Sequence, residues 1–73
     1  MAGWGDDPTL AELRDSVAEG WEPVSIREDR QGADSYDVVT VRKDGEEREF
    51  RSDHLAFHRY VEGLIEDYGL SYS

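Results

Sequence analysis

The chain has 73 residues, the size of one small domain, and a core of this size supplies only about 3–5 kcal/mol of stability without further staples. It contains no cysteine, which excludes disulfide bonds and thiolate metal sites. Eight basic and eighteen acidic residues give a formal net charge of -10, which argues against binding to the phosphates of nucleic acids.

The N-terminal residues 1–6 are rich in glycine and polar apart from Trp4, so we expect a flexible arm from which Trp4 could dock on the domain. This N-terminus, MAGWGDDP, lacks the basic and apolar regions of a signal peptide. No stretch is apolar over the roughly 18 residues needed to span a membrane. We therefore expect a soluble, cytoplasmic protein that does not bind membranes.

A first helix is predicted over about residues 8–19. Asp7 followed by Pro8 is typical of an N-cap and a first helical residue, and Thr9 with Glu12 offers an alternative capping box. Apolar residues then recur at the spacing of one helix face that packs on a core, namely Leu10, Leu13, Val17 and Trp21.

Gly20 ends this helix, and a first strand is predicted in the sequence EGWEPVSI, residues 19–26. Val24 and Ile26 alternate with polar residues, so we expect both to face the core. Pro23 lacks the amide that a central strand needs. The first strand is therefore predicted at an edge of the sheet.

Residues 27–35 are charged and show no periodicity, so we expect a mobile connection that leads to a hairpin over residues 36–51. The hairpin is the strongest local signal, because Asp44-Gly45 is typical of a two-residue type I′ turn. The register counted outward from this turn directs Val39, Val41 and Phe50 toward the core. The outer face then carries Tyr36, Val38, Thr40, Arg42, Glu47, Glu49 and Arg51.

The second helix is predicted after Ser52, which is a candidate N-cap, and it ends at Gly69. Its apolar stripe consists of Phe57, Val61, Leu64 and Tyr68, with Tyr60 and Ile65 beside it. Leu70 is expected to fold back on the end of the helix. The packed domain should span residues 7–70, followed by a C-terminal tail of residues 71–73.

The order helix, strand, strand, strand, helix predicts an α+β fold, in which a three-stranded antiparallel meander carries both helices on one face. This α-β-β-β-α order resembles the double-stranded RNA-binding domain, which implies a nucleic-acid-binding function. In that family the second helix opens with a lysine-rich run. The matching stretch here, Ser52 to Phe57, contains no Lys or Arg.

Two further resemblances concern sequence and composition. The run from Leu10 through AEGWEPVSI resembles the helix-to-strand junction of a family of short prokaryotic proteins of unknown function, and it implies no catalytic residue. Seven of the eight basic residues are Arg, and the acids comprise nine Asp and nine Glu. This composition resembles cytosolic proteins of extreme halophiles, where molar salt reduces the Debye length to about 3 Å.

His54 and His58 are the candidate metal ligands, because two histidines four residues apart on a helix can share a zinc ion. The Glu of an H-E-x-x-H motif is missing, and no third ligand is fixed. We therefore favour the alternative that both histidines border the core, and we expect no cofactor.

The predicted outer face of the sheet is the candidate interface, formed by Trp21, Tyr36, Val38, Thr40, Arg42 and Arg51. Trp21 joins this face only if the first strand begins at residue 21, and otherwise it completes the core stripe of helix 1. Aromatic and guanidinium groups on one face suit a protein partner or nucleic acid. The alternative is a solvated sheet with cross-strand ion pairs.

The sequence lacks a Gly-rich phosphate loop, a nucleophile elbow and any Cys, so we predict that the protein is not an enzyme. The adjacent acids Asp6-Asp7, Glu46-Glu47 and Glu66-Asp67 are more typical of a solvated surface than of a catalytic pair. We predict a small interaction or regulatory module that binds an unidentified protein or a second copy of itself. The alternative is a nucleic-acid-binding domain that uses the sheet face or residues 27–35.

Overall fold

A computed structural model describes residues 7–72, so the predicted arm of residues 1–6 with Trp4 lies outside the described part. The elements in chain order are α1 (Pro8–Ala18), β1 (Glu22–Gln31), β2 (Asp34–Lys43), β3 (Glu46–Ser52) and α2 (Leu55–Tyr68). The strands form an antiparallel sheet in the order β1-β2-β3. The predicted α+β fold with an open meander is confirmed.

The hairpin of β2 and β3 has the predicted register. Asp44 and Gly45 have φ angles of 53° and 83°, and two successive positive values define a type I′ turn. Val39 lies opposite Phe50, as counted from this turn. Local turn chemistry therefore determines which face of each strand is buried.

The prediction of a mobile connection over residues 27–35 is wrong. β1 and β2 are each 10 residues long, and only Gly32-Ala33 separates them. Gly32 has a φ of 62°, as the first central residue of a type II′ turn requires. Most side chains at this end of the hairpin are exposed on both faces, so the sequence here has no apolar alternation to indicate a strand.

β1 lies at the edge of the sheet as predicted, but its alternation differs from the prediction. The register shifts between Pro23 and Ser25, which makes Val24 the extra residue of a β-bulge. Pro23 is buried opposite Val41, and Ile26 is fully buried, whereas Val24 is only half-buried. The expectation that Val24 faces the core is therefore wrong, because with the bulge Pro23 is the residue that is buried opposite Val41.

The core lies between the two helices and one face of the sheet, which we call the inner face. Its buried members are Leu13, Trp21, Ile26, Val39, Val41, Phe50, Phe57, Val61 and Leu64. Leu10, Val17, Tyr60, Ile65 and Leu70 pack at its border. Tyr68 was expected in the apolar stripe, but it is the last residue of α2 and is exposed. Both helices thus cover the inner face.

The side chain of Ser52 links the residues that cap the starts of the two helices. The Asp7 carboxylate caps α1 by accepting a hydrogen bond from the Thr9 N–H at 3.1 Å. The N-cap of α2 is His54, so the prediction of Ser52 is wrong. Ser52 instead ends β3, and its hydroxyl donates to Asp7 at 2.6 Å and accepts from the His54 N–H at 3.2 Å. Gly69 ends α2 in the left-handed conformation, as predicted.

Candidate functional site

The outer face of the sheet is the face opposite the core, and Val38 lies at its centre on β2. Val38 does not belong to the core cluster, in agreement with the register, yet it is only 1% exposed. Val38 therefore lies on the outer face as predicted, but its side chain is not exposed there. Something other than a helix covers this side chain.

Two ion pairs that cross the central strand provide this cover. Arg27 and Arg51 are the neighbours of Val38 on β1 and β3. Arg27 bonds to Glu49 of β3 at 3.0 Å, and Arg51 bonds to Asp29 of β1 at 2.9 Å. Each pair spans β2 on the face that carries Val38, so the arginine stems beside Val38 account for its burial, while the four paired side chains remain 31–53% exposed. We call these the cross-sheet ion pairs.

The other predicted interface residues on this face are also engaged. The guanidinium of Arg51 lies 4.4 Å from the centre of the Tyr36 ring, within the range of a cation–π contact. Arg42 donates two hydrogen bonds to Glu47, at 2.6 Å and 3.1 Å. Thr40 and Tyr36 are half-buried. The face therefore combines an aromatic ring with arginines that each have a carboxylate partner.

Trp21 does not belong to the outer face. It is 7% exposed and forms part of the core cluster, as the alternative for this residue proposed. The guanidinium of Arg48 lies 4.4 Å from the centre of its ring. In a regular strand residues 21 and 25 would point to the same face. The bulge in β1 breaks this alternation, so Trp21 lies on the inner face while Ser25, opposite Thr40, lies on the outer face. The structure thus brings together five of the six predicted interface residues.

A second group of polar side chains surrounds Asp37, a largely buried residue of β2. One carboxylate oxygen lies 2.7 Å from Nδ1 of His58 on α2. The other oxygen accepts a hydrogen bond of 2.8 Å from the hydroxyl of Tyr72. His58 and Tyr72 also stack, with ring centres 6.5 Å apart. We call these three residues the Asp37 cluster.

The Asp37 cluster joins three parts of the chain, because Tyr72 follows α2 and forms a parallel bridge with Ile26 at the edge of β1. Burial raises the pKa of Tyr72 above its usual value, and the hydrogen bond to Asp37 raises that pKa further. The hydroxyl therefore stays protonated and remains a donor over the physiological pH range. The packed part of the chain extends to Tyr72, beyond the predicted boundary at residue 70.

The two histidines predicted as candidate metal ligands have separate roles. His54 is the N-cap of α2, whereas His58 directs Nδ1 to Asp37 and has Nε2 3.7 Å from Glu62. A shallow pocket of about 260 Å³ lies beside them, lined by Glu28, Ser35, Asp37, Asp53, His54, Leu55 and His58. Within residues 7–72, no three His, Cys, Asp or Glu side chains are grouped so that they could hold a metal ion.

The adjacent carboxylates also divide between separate surroundings. Asp7 is buried at the start of α1, while Asp6 lies outside the described residues. Glu47 pairs with Arg42 across the hairpin. Glu66 and Asp67 are exposed on α2. None of these pairs has both carboxylates in one buried site in the described part of the chain.

Sequence reasoning missed Asp37 and Tyr72. The register offered one signal for Asp37. Asp37 lies two and four residues before Val39 and Val41, so its carboxylate lies on the same inner face of the sheet. Tyr72 offered none, since its partners are 35 and 14 residues away in the sequence.

Comparisons with known proteins found no matching family model, no similar curated protein and no similar solved structure. No helix in the described part of the chain is long and apolar enough to cross a membrane.

Proposed function

We propose that this chain is a small non-enzymatic interaction or regulatory module, and that it recognises another protein chain with the outer face of its sheet. The observation that supports this proposal is the placement of both helices on the inner face. This leaves the outer face of a three-stranded sheet uncovered by any other element of residues 7–72.

The chemistry of the outer face suits a protein surface. Tyr36 presents part of an aromatic ring under a guanidinium group, and arginine and tyrosine are enriched at protein interfaces. The ion pairs around it offer donors and acceptors that can exchange partners at a polar interface. Val38 contributes by supporting these side chains from below, because it is itself almost completely buried.

The Asp37 cluster supports a structural role better than catalysis. Both oxygens of Asp37 already have partners, and the raised pKa of Tyr72 keeps that hydroxyl from acting as a base near neutral pH. The cluster connects β2 to α2 and to the C-terminal segment. We therefore assign it to stability within the proposed module.

The nucleic-acid alternative gains no support from the outer face. Each of its three arginines, Arg27, Arg42 and Arg51, lies within ion-pair distance of a carboxylate. Binding of phosphates would require these pairs to break on a chain of net charge -10. Retention on a nucleic-acid column that falls steeply with salt would favour this alternative over the proposal.

The proposal is tested by capturing partners from a lysate of the source organism at high salt with the wild-type chain and two variants. Arg42→Glu changes the outer face, and Arg59→Glu makes the same change on the exposed surface of α2. We expect Arg42→Glu to lose the captured protein and Arg59→Glu to retain it. Sedimentation at several concentrations shows whether the partner is a second copy of the chain.

Circular dichroism establishes that both variants remain folded. Equal capture by the wild-type chain and both variants would contradict recognition through the outer face. Equal loss in both variants would indicate a general effect of charge and would also contradict it.

A further inference from the structure

A groove runs between α1 and the free edge of β3. It has a volume of about 480 Å³ and is open to solvent. Its lining residues come from one face of α1, from the C-cap that follows it and from the middle of β3, and they are Glu12, Asp15, Ser16, Glu19, Arg48, Glu49 and Phe50. The groove therefore has a helix as one wall and a strand edge as the other.

The edge of β3 offers unpaired backbone groups to this groove. The two-residue turn makes Lys43 and Glu46 a hydrogen-bonded pair, and such pairs alternate along an antiparallel ladder. Glu47, Glu49 and Arg51 consequently direct their N–H and C=O groups away from β2. Within residues 7–72 no other strand pairs with this edge.

The opposite edge of the sheet is different, because Tyr72 bridges to Ile26 there and its hydroxyl is held by Asp37. An unpaired strand edge beside a helix is the arrangement in which an extended peptide adds as one more strand. The β3 edge is thus the more accessible of the two for such an addition.

The helix wall of the groove is acidic. Glu12, Asp15 and Glu19 follow each other at spacings of three and four residues, and within residues 7–72 none of them lies in an ion pair. The one cationic residue of the lining, Arg48, lies over the Trp21 ring. The surplus of negative charge matches a basic ligand.

We infer that this groove binds an extended peptide with Lys or Arg at alternate positions, which adds as a strand to the edge of β3. The inference rests on the proposed function of protein recognition and assigns it a second surface. Glu12 and Glu19 are about 10 Å apart along the helix axis, and alternate residues of a strand are about 7 Å apart. Two alternate basic side chains therefore fit along the wall.

The test uses the acetylated and amidated peptide Lys-Val-Lys-Val-Lys-Val and the full ¹⁵N-labelled chain. The titration is carried out at the lowest KCl concentration at which circular dichroism shows a folded domain. We expect the largest amide shifts at Glu47, Glu49 and Arg51 and along α1. A peptide N-methylated at alternate residues, so that it cannot pair with the edge, should bind at least about tenfold more weakly.

Two variants with the same change in charge test the acidic wall. The groove variant carries Glu12→Gln, Asp15→Asn and Glu19→Gln. The control variant carries Asp34→Asn, Glu66→Gln and Asp67→Asn, which are exposed positions outside the groove lining. We expect affinity to fall at least about tenfold in the groove variant and less than about twofold in the control.

Equal weakening in both variants, or an N-methylated peptide that binds as well as its parent, would overturn the inference. Amide shifts confined to β1 and β2, with none along α1, would also overturn it, while leaving the proposed function intact. Absence of binding would overturn it as well, and the proposed function would still be judged by the Arg42→Glu capture experiment.

Discussion

The inner and outer faces of this sheet bury neighbouring residues of β2 by different means. Val39 lies in the apolar core between the sheet and the helices, whereas Val38 lies between arginines of the two neighbouring strands. Both valines are at most 1% exposed. Alternation in the sequence therefore determines the face that a residue occupies, but it does not determine its exposure.

The largest effect is expected in the inner core. Phe57→Ala should cost about 3–5 kcal/mol through lost burial and the cavity left behind, which equals the expected stability of a domain of this size. Urea denaturation followed by circular dichroism would show a largely unfolded chain. The control Leu55→Ala lies on the same helix at an exposed position and should change stability by less than about 0.5 kcal/mol.

Salt should act in opposite directions on the whole domain and on the outer face. Screening relieves the repulsion of a net charge of -10, so we expect the melting temperature to rise as KCl approaches molar concentrations. Circular dichroism melts across a KCl series measure this effect. A melting temperature that does not change with salt would contradict the adaptation to high salt that the resemblance in composition implies.

Val38→Ala tests whether the cross-sheet ion pairs exclude water as well as the helices do. Removing two buried carbon atoms should cost about 1.5–2.5 kcal/mol. Val39→Ala is the matched change on the inner face and should cost about as much. A loss below about 0.5 kcal/mol for Val38→Ala alone would show that the outer face is a solvated surface.

Tyr72→Phe tests the Asp37 cluster and should cost about 1 kcal/mol at neutral pH, because one hydrogen bond to Asp37 is lost. The raised pKa of Tyr72 stabilises the folded state below the usual tyrosine pKa of about 10, and this contribution disappears as the pH rises above that value. The free energy of unfolding of the wild-type chain should therefore fall more steeply above pH 10 than that of the variant.

Tyr68→Phe is the control for this experiment, since Tyr68 is exposed at the end of α2. It should leave both the stability and its dependence on pH almost unchanged. Equal slopes in the wild-type chain and Tyr72→Phe would contradict the role assigned to the Tyr72 hydroxyl.

The smallest effect is the coupling within one cross-sheet ion pair. A double-mutant cycle with Arg27→Met and Glu49→Gln should give about 0.2–1 kcal/mol, because both side chains are about half-exposed. The coupling should decrease with added KCl, opposite to the trend of the whole domain. A coupling independent of salt would show that the pair is shielded from solvent.

Several parts of the fold that follow from local chemistry were predicted correctly, although the N-cap of α2 and the turn at Gly32-Ala33 were not. Asp44-Gly45 determines the register of one hairpin, and Asp7 and Gly69 cap their helices as their residue types require. These signals depend on residues that are neighbours in the sequence. They needed no knowledge of the tertiary structure.

The parts that depend on distant contacts were missed. The bulge at Val24 accompanies the burial of both Pro23 and Trp21, and alternation alone cannot indicate it. The Asp37 cluster joins residues up to 35 positions apart. Alternation along the strands placed five of the six candidate interface residues on one face, but the ion pairs between β1 and β3 could not be foreseen from the sequence.

The two tight turns of the sheet have a consequence for the kinetics of folding. Gly32-Ala33 and Asp44-Gly45 each close a hairpin between residues that are close in the sequence, and hairpins form within about 1–10 μs. Docking of α1 against β3 closes a much longer loop, whose entropy cost is larger. We therefore expect the sheet to assemble early and the docking of the terminal helices to limit the folding rate.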